Sequence, residues 1–261
     1  MQIKEINVNR FLTKSKILGI DFVINPYVGC PNGCLYCYAS FLRPLKKHDE
    51  LWGEFIDIKT TDNMIKKRSV TGKTILLSST TDPYNKYEKD YKITRSILVK
   101  LVDFDFHLII ETKNKLILRD INLLRKMKDV KVIISLNTLN DNFRRQIENY
   151  STIDSRIKTL KTLHEEGIYT ILNISPIFPF ITDYKEIIDA TKDYVLEYQF
   201  SFLTLKNDYK REILKFIKEH YEKYYLEYAK IYLLNDHTYF HNLKIEILNY
   251  CKENKIKYTF N

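Results

Sequence analysis

The stretch NPYVGCPNGCLYCYAS, residues 25–40, contains three of the four cysteines of the chain. Glycine and proline residues surround Cys30, Cys34 and Cys37, and because these residue types disfavour regular helices and strands, we expect all three thiols on one loop. Thiolates are good ligands for soft metals, and clustered cysteines outside a disulfide framework are typical of a metal centre. The stretch therefore predicts a metal-binding loop.

The spacing C-x-x-x-C-x-x-C leaves two kinds of metal centre open, besides a chance group of buried, unreactive thiols. Zinc sites usually present two pairs of ligands, and the fourth ligand here would be Cys251 or a histidine. In an iron–sulfur cluster, three thiolates hold three irons and a fourth iron stays open for an exchangeable ligand. The cluster explains the lack of a fourth cysteine nearby. The histidines are His48, His107, His164, His220, His237 and His241.

Outside this loop, short β-rich runs alternate with longer helical patterns, which is typical of a parallel sheet with crossover helices. We therefore predict an α/β fold, and the pattern fits a partial TIM-like barrel and a doubly wound sheet equally well. The predicted strands are 21–25, 74–79, 106–112, 130–137, 168–178 and 195–205, with a final strand at 255–260. The predicted helices lie at 87–103, 116–127, 153–167 (capped by Gly167) and 183–194, from about Leu35, and after residue 206.

Polar motifs follow the carboxyl ends of five predicted strands. The carboxyl ends of parallel strands meet at one edge of a sheet or barrel, where ligands bind. We therefore expect the five motifs to surround one pocket. They are Asn25 to Cys37, Ser78 to Asp82, Thr112 to Asn114, Ser135 to Thr138, and Ser175.

Composition limits the classes of protein to which the 261-residue chain can belong. We expect one domain in the cytoplasm, because the sequence has no secretory signal and no run of about 18 apolar residues that could cross a membrane. The net charge of +9 permits an anionic partner. Lysines mixed with glutamate and aspartate are more typical of solvated helix faces, so nucleic acid stays open as a partner.

The cysteine loop, with an aromatic residue just before its third cysteine, resembles the cluster motif of the radical SAM superfamily. Further blocks follow in order between about residues 20 and 185 and resemble the branch related to spore photoproduct lyase, often labelled DNA repair photolyase-like. With INVNRFLTKS and WGEFIDIK added, the chain is most similar to the subgroup called radical SAM mobile pair protein B. The blocks are SSTTDPYNKYEKDYKITRSIL, ETKNKLILRDINLL, ISLNTLNDNFRRQIE and RIKTLKTLHEEGIYTILNISPIFPFITD.

The resemblance implies a single radical SAM domain, with a partial (β/α)6 barrel over about 20–205 and a helical C-terminal extension over about 206–261. It implies a 4Fe-4S cluster on Cys30, Cys34 and Cys37, whose open iron binds S-adenosylmethionine. Reductive cleavage then releases a 5′-deoxyadenosyl radical that removes hydrogen from an unknown substrate. The implied partners are an electron donor and a second radical SAM protein.

The resemblance also implies roles for residues around the cofactor, and each role has an ordinary structural alternative. An aromatic ring before the third cysteine would lie against adenine, or would pack within the loop. Thr and Asp after the second strand would hold the methionine end, or would cap a helix. A lysine after the third strand would reach the ribose or carboxylate group of the cofactor, or would be exposed to solvent. A serine ending the fourth strand would bind the ribose, or would be a strand hydroxyl with an ordinary hydrogen bond. These residues are Tyr36, Tyr38, Thr81, Asp82, Lys113 and Ser135.

One departure from the lyase pattern bears on substrate. The lyase returns hydrogen to the repaired base from a cysteine near the end of its second strand, where this chain has Ser79. Repair by that route is therefore in doubt unless Tyr84 or Tyr87 replaces the thiol. Lesion repair and a zinc-stabilised binding module without activity remain the alternative functions. The arginines in helical segments, for which surface ion pairs are expected, are Arg95, Arg119, Arg145 and Arg156.

Overall fold

The computed structural model describes residues 1–42, 48–148 and 150–260. Its strands are β1 (Gln2–Asn7), β2 (Leu12–Lys14), β3 (Phe22–Ile24), β4 (Tyr27–Val28), β5 (Phe55–Thr60), β6 (Thr74–Leu77), β7 (His107–Thr112), β8 (Asp129–Ser135), β9 (Tyr169–Ile177), β10 (Glu197–Phe202) and β11 (Tyr258–Phe260). Its α-helices are α1 (Glu88–Tyr91), α2 (Ile93–Leu101), α3 (Ile121–Leu124), α4 (Asp141–Ile147), α5 (Ile153–Glu165), α6 (Tyr184–Asp189), α7 (Asn207–His220), α8 (Tyr225–Tyr232) and α9 (Thr238–Glu253).

The main sheet contains eight strands in the order β2-β3-β6-β7-β8-β9-β10-β11. Strand β2 runs antiparallel to β3, and all the other neighbours pair in parallel. No pairing among the described residues joins the edge strands β2 and β11, so the sheet is open there. All seven predicted strands are confirmed, as is the α/β fold with a partial barrel and a helical C-terminal extension.

The parallel strands have apolar runs because both faces of the sheet are covered. In β8, the consecutive residues Val132, Ile133 and Ile134 are all buried. One core cluster joins such strand residues to the apolar faces of α2 and α5. The packed core therefore holds the carboxyl ends of the strands, where the polar motifs lie, in fixed positions.

Three helix predictions differ from the structure. The segment 116–127 contains a 3-10 helix over Lys115–Asp120 followed by the four-residue α3, and not one continuous helix. The segment 87–103 forms two helices, because Lys92 adopts a left-handed conformation with φ of 53° between α1 and α2. The carboxylate of Glu88 accepts hydrogen bonds from the backbone N–H groups of Thr94 and Arg95, which starts the second helix. After the cysteine loop, a 3-10 helix spans Tyr38–Leu42, so no helix begins at Leu35.

A second, smaller sheet was absent from the prediction. It has the order β1-β5-β4 and places β5 against the cysteine loop. Gly29 has φ of +80°, and a Cβ atom there would lie 2.5 Å from the backbone oxygen of Phe55. Only glycine fits this close approach, which fixes the start of the cysteine loop on β5.

The C-terminal extension packs beside the barrel in a core cluster of its own. Helices α7 and α8 contact Phe143 of α4 and Phe178 after β9 through apolar and tyrosine side chains. Tyr228 is fully buried there, so this tyrosine packs in the core of the extension. No helix in the described part of the chain has both the length and the apolar character needed to cross a bilayer.

Candidate active site

A cavity of about 560 Å³ opens at the carboxyl ends of the parallel strands. All nine residues selected from the sequence line it, although they come from four separate segments. The expectation that these motifs surround one pocket is confirmed. The nine residues are Cys30, Cys34, Tyr36, Cys37, Tyr38, Thr81, Asp82, Lys113 and Ser135.

The three cysteines line the cavity from one loop. Burial raises the pKa of all three thiols, that of Cys34 to about 11 and that of Cys37 to about 12. Thiolates in this setting need nearby positive charge, which a bound metal supplies.

The spacing of the thiols bears on the kind of metal centre. Across residues 1–42, 48–148 and 150–260, no three cysteine, histidine or carboxylate side chains are arranged to hold a single metal ion. No histidine lies in the described wall of the cavity, and Cys251 is buried in α9 outside it. In a cubane cluster each thiolate binds a different iron, so its sulfurs lie farther apart than around one zinc ion. The donor set therefore fits a cluster.

Thr81 and Asp82 tie the loop after β6 to its neighbours. The Thr81 hydroxyl donates to the backbone oxygen of Gly29 over 2.6 Å. The Asp82 carboxylate accepts from the Thr112 hydroxyl at 2.6 Å and from the Lys113 backbone N–H at 3.0 Å, and burial raises its pKa. Neither residue caps a helix, since α1 begins only at Glu88. The alternative role as helix caps is therefore wrong.

Two tyrosines of the cysteine loop face the cavity differently. Tyr38 is exposed and donates from its hydroxyl to the backbone oxygen of Ser79. Tyr36 is half-buried, and its ring lies edge-on to Phe178 with the Lys113 ammonium 4.7 Å from the ring centre. The Tyr36 ring thus forms a fixed wall beside the third cysteine.

Four residues form a buried ionic group that we call the cavity network: Tyr36, Lys113, Glu148 and Arg156. The Glu148 carboxylate accepts hydrogen bonds from the Tyr36 hydroxyl, from Lys113 Nζ at 2.6 Å and from an Arg156 guanidinium N–H. It also lies 3.8 Å from Cys34 Sγ, as does Lys113 Nζ. The network joins the cysteine loop to β7 and α5.

Charge governs the cavity network. Burial alone would raise the pKa of Glu148, but the charges of Lys113 and Arg156 lower it to about 2. Burial opposes the charged form of Lys113, and the neighbouring Cys34 and Glu148 raise its pKa nonetheless. One carboxylate therefore faces two cations, which leaves one positive charge in excess beside Cys34.

Part of this network differs from the sequence-based expectations. A surface ion pair was expected for Arg156, yet this side chain is 1% exposed and bonds to Glu148. The prediction was wrong because Arg156 lies on the apolar face of α5, three residues after Ile153 and four before Leu160, a spacing that could have revealed it. Glu148 follows α4 with no periodic signal.

Two other arginines also differ from the expectation of surface pairing. Arg119 bonds to the buried carboxylates of Glu88 and Asp120, and Arg95 bonds to Asp120. Arg145 alone of the four behaves as predicted, with a 67% exposed side chain paired to Asp141. The helical pattern could not reveal that two acidic residues are buried beneath α2.

The C-terminal extension also contributes to the wall of the cavity, which was not predicted from the sequence. Tyr209 of α7 lines the cavity and donates from its hydroxyl to the backbone oxygen of Tyr36. Ser79 lines the cavity where the lyase pattern has a cysteine, while Tyr84 and Tyr87 are outside the described wall. The two tyrosines proposed to replace the missing thiol are therefore not at the site.

Sequence comparison identifies relatives along the whole chain. The sequence model of the radical SAM superfamily matches residues 24–192. An uncharacterised protein of Methanocaldococcus jannaschii, MJ0683, is 35% identical over 258 residues, which cover 98% of this chain and 95% of the relative. The uncharacterised protein ORF301 of Acidianus two-tailed virus is 29% identical over 177 residues, 63% of this chain and 58% of that protein.

Solved structures with the same fold carry sequences that differ widely from this chain. Spore photoproduct lyase complexed with dinucleoside spore photoproduct superposes with a TM-score of 0.60 at 16% identity, over 84% of this chain and 66% of the lyase. Streptococcus suis SuiB bound to S-adenosylmethionine superposes with a TM-score of 0.57 at 14% identity, over 92% of this chain and 49% of SuiB. This chain thus spans about two thirds of the lyase and half of SuiB. Fold, cysteine loop and sequence match agree, and the chain belongs to the radical SAM superfamily.

Proposed function

We propose that the protein is an enzyme in which Cys30, Cys34 and Cys37 bind a 4Fe-4S cluster for the reductive cleavage of S-adenosylmethionine. The observation that carries the proposal is the convergence of these thiols with four further polar residues on one cavity. The four are Thr81, Asp82, Lys113 and Ser135, at the carboxyl ends of β6, β7 and β8.

When bound, the cluster and S-adenosylmethionine supply an electron and a 5′-deoxyadenosyl group that takes a hydrogen atom from the substrate. The chain provides ligation, orientation and exclusion of water. Lys113 contributes positive charge next to Cys34 and toward the cavity, and Glu148 and Tyr36 hold its ammonium group in position. Asp82 fixes the backbone of Lys113 through a hydrogen bond of 3.0 Å.

The test is anaerobic reconstitution with iron and sulfide, followed by reduction and addition of S-adenosylmethionine. Wild-type protein should bind about four irons and form 5′-deoxyadenosine. Cys37→Ala should lose most of the cluster absorbance and all product. Cys251→Ala is the matched control, because this thiol is buried in the core away from the cavity, and it should behave as wild type.

Two results would contradict the proposal. The first is 5′-deoxyadenosine formation that is equal in wild type and Cys37→Ala. The second is anaerobically purified protein that contains zinc with neither iron nor sulfide, which would favour the binding module. If the cluster forms and no product appears, the assay is repeated with the second radical SAM protein added as partner.

Substrate and partners stay predictions that rest on resemblance. A second radical SAM protein and an electron donor are expected from the likeness to the mobile-pair subgroup. A nucleic-acid lesion is the alternative substrate, and salt-dependent binding to DNA would support it. Repair through a protein thiol has no support in the described cavity wall, whose cysteines are the three proposed cluster ligands.

A further inference from the structure

A polar group of the cavity wall surrounds Glu111 of β7, a carboxylate to which the proposed cofactor site gives no role. Both of its hydrogen bonds fall on one carboxylate oxygen, Oε1, which accepts from Ser135 Oγ at 2.9 Å and from Asn173 Nδ2 at 3.0 Å. Ser135 and Asn173 are direct neighbours across β8 and β9. Glu111 lines the cavity, and no described residue forms a salt bridge with it or donates a hydrogen bond to its second oxygen, Oε2.

A second acceptor lies beside this carboxylate. Asn173 is 9% exposed, and its Oδ1 atom has no hydrogen-bond partner among the described residues. The hydroxyl of Ser78, also in the cavity wall, is buried and unpaired as well. A buried polar atom without a partner costs about 1–3 kcal/mol, so a ligand that bonds to these atoms in the cavity gains affinity from them.

The charges of the cavity wall define what that ligand is. The described wall contains two carboxylates, Asp82 and Glu111, and one cation, Lys113, which is already bonded to Glu148. Near Glu111 and Asn173, the cavity therefore offers acceptors and negative charge. A phosphate would be repelled there, whereas a group with several N–H donors and a positive charge fits.

We propose that Glu111 and Asn173 bind a cationic N–H donor of the substrate, a primary ammonium, amidinium or guanidinium group. The carboxylate supplies charge and the amide oxygen supplies a second acceptor, while Ser135 and the Asn173 amide group hold Glu111 in place. This inference rests on the proposed function, because it names the class of substrate that the proposed enzyme binds in the same cavity.

The experiment compares two probes of nearly equal shape, methylguanidinium and N-methylurea, by saturation-transfer NMR on protein reconstituted with its cluster and S-adenosylmethionine. Methylguanidinium should bind wild type, and Glu111→Gln should weaken it about tenfold, since the amide keeps the hydrogen-bond acceptor but removes the charge. N-methylurea should bind weakly and equally to both. Glu165→Gln, which removes an exposed carboxylate from α5, should leave all values unchanged.

Three results would overturn the inference: equal binding of methylguanidinium to wild type and Glu111→Gln, equal binding of the two probes to wild type, or a loss confined to S-adenosylmethionine affinity, which would assign Glu111 to the cofactor. The wild-type comparison stands even if the variant misfolds. Probe binding needs no turnover, so a charge-dependent result in protein that forms no 5′-deoxyadenosine even with the partner protein added would reject the proposed function and keep the cationic site.

Discussion

Two buried ionic groups of this protein share their chemistry and differ in their surroundings. One is the cavity network. The other, which we call the helix network, lies beneath α1 and α2. Each contains a fully buried glutamate that accepts a hydrogen bond from a tyrosine hydroxyl and another from an arginine. The helix network consists of Tyr27, Glu88, Arg95, Arg119 and Asp120.

The two networks differ in the balance of their charges. The helix network balances two carboxylates with two guanidinium groups. The Glu88 carboxylate also accepts hydrogen bonds from two backbone N–H groups at the start of α2. The cavity network has one carboxylate for two cations. Uncompensated buried charge is costly, so proteins keep it mainly where a ligand completes the balance. The excess positive charge of Lys113 and Arg156 therefore suits cysteine thiolates and an anionic cofactor group.

The largest expected effect tests what the two networks share. Glu88→Ala and Glu148→Ala should each lower the free energy of unfolding by about 3–5 kcal/mol. Glu148→Ala leaves the buried Arg156 without its carboxylate partner, and Glu88→Ala removes one of the two carboxylates that pair with Arg119 together with the hydrogen bonds to the start of α2. Urea unfolding followed by circular dichroism measures this. Glu165→Ala, on the exposed face of α5, should change stability by less than about 0.5 kcal/mol. A loss below about 1 kcal/mol in either buried variant would contradict the burial of its ion pairs.

Next in size is the effect of removing the excess charge. Lys113→Met keeps the length of the side chain and should lower 5′-deoxyadenosine formation about 100-fold, the scale of losing one charged donor at a reaction site. Product per cluster iron is the measurement. Lys115→Met changes an exposed lysine two residues away and should retain full activity. Equal rates in the two variants would mean that the cavity network is only structural.

The fold and the cysteine site follow from the sequence to different extents. Apolar runs such as 130–137 predict strands because both faces of the sheet are buried, and the motifs after them converge for the same topological reason. The small sheet was missed because β1 is exposed along nearly its whole length and has no apolar alternation. Its formation depends on backbone pairing with β5, which no side-chain pattern records.

The cavity network could be predicted from the sequence only in part. Lys113 could be selected because it directly follows a strand. Glu148 could not, because it reaches the cavity only through the path of the chain after α4. Its partner Arg156 lies eight residues away in sequence and carried a weak signal, a charged residue on an apolar helix face. Long-range pairing of charges is decided by tertiary packing.

A smaller effect separates the networks through a matched pair of hydroxyl deletions. Tyr27→Phe and Tyr36→Phe each remove a hydrogen bond to a buried carboxylate and should lower stability by about 1.5 kcal/mol. Only Tyr36→Phe should also raise KM for S-adenosylmethionine, by several fold, because its hydroxyl helps to hold Lys113. Steady-state kinetics on both variants checks this. A raised KM for S-adenosylmethionine in Tyr27→Phe would contradict the prediction that only the cavity network affects binding of the cofactor.

The smallest expected effect concerns the outer end of α4, which leads into the cavity network. Hydrogen bonds from Arg144 and Arg145 lower the pKa of Asp141 below its usual value of 3.8. A lowered folded-state pKa contributes stability that is present above the unfolded-state value and is lost as pH falls through the lowered one. Asp141→Asn should therefore reduce Tm slightly at pH 6, because exposed pairs contribute little, and the reduction should shrink as pH falls below 3.8. A difference in Tm between the two proteins that stays constant as the pH falls would show that Asp141 acts through uncharged contacts.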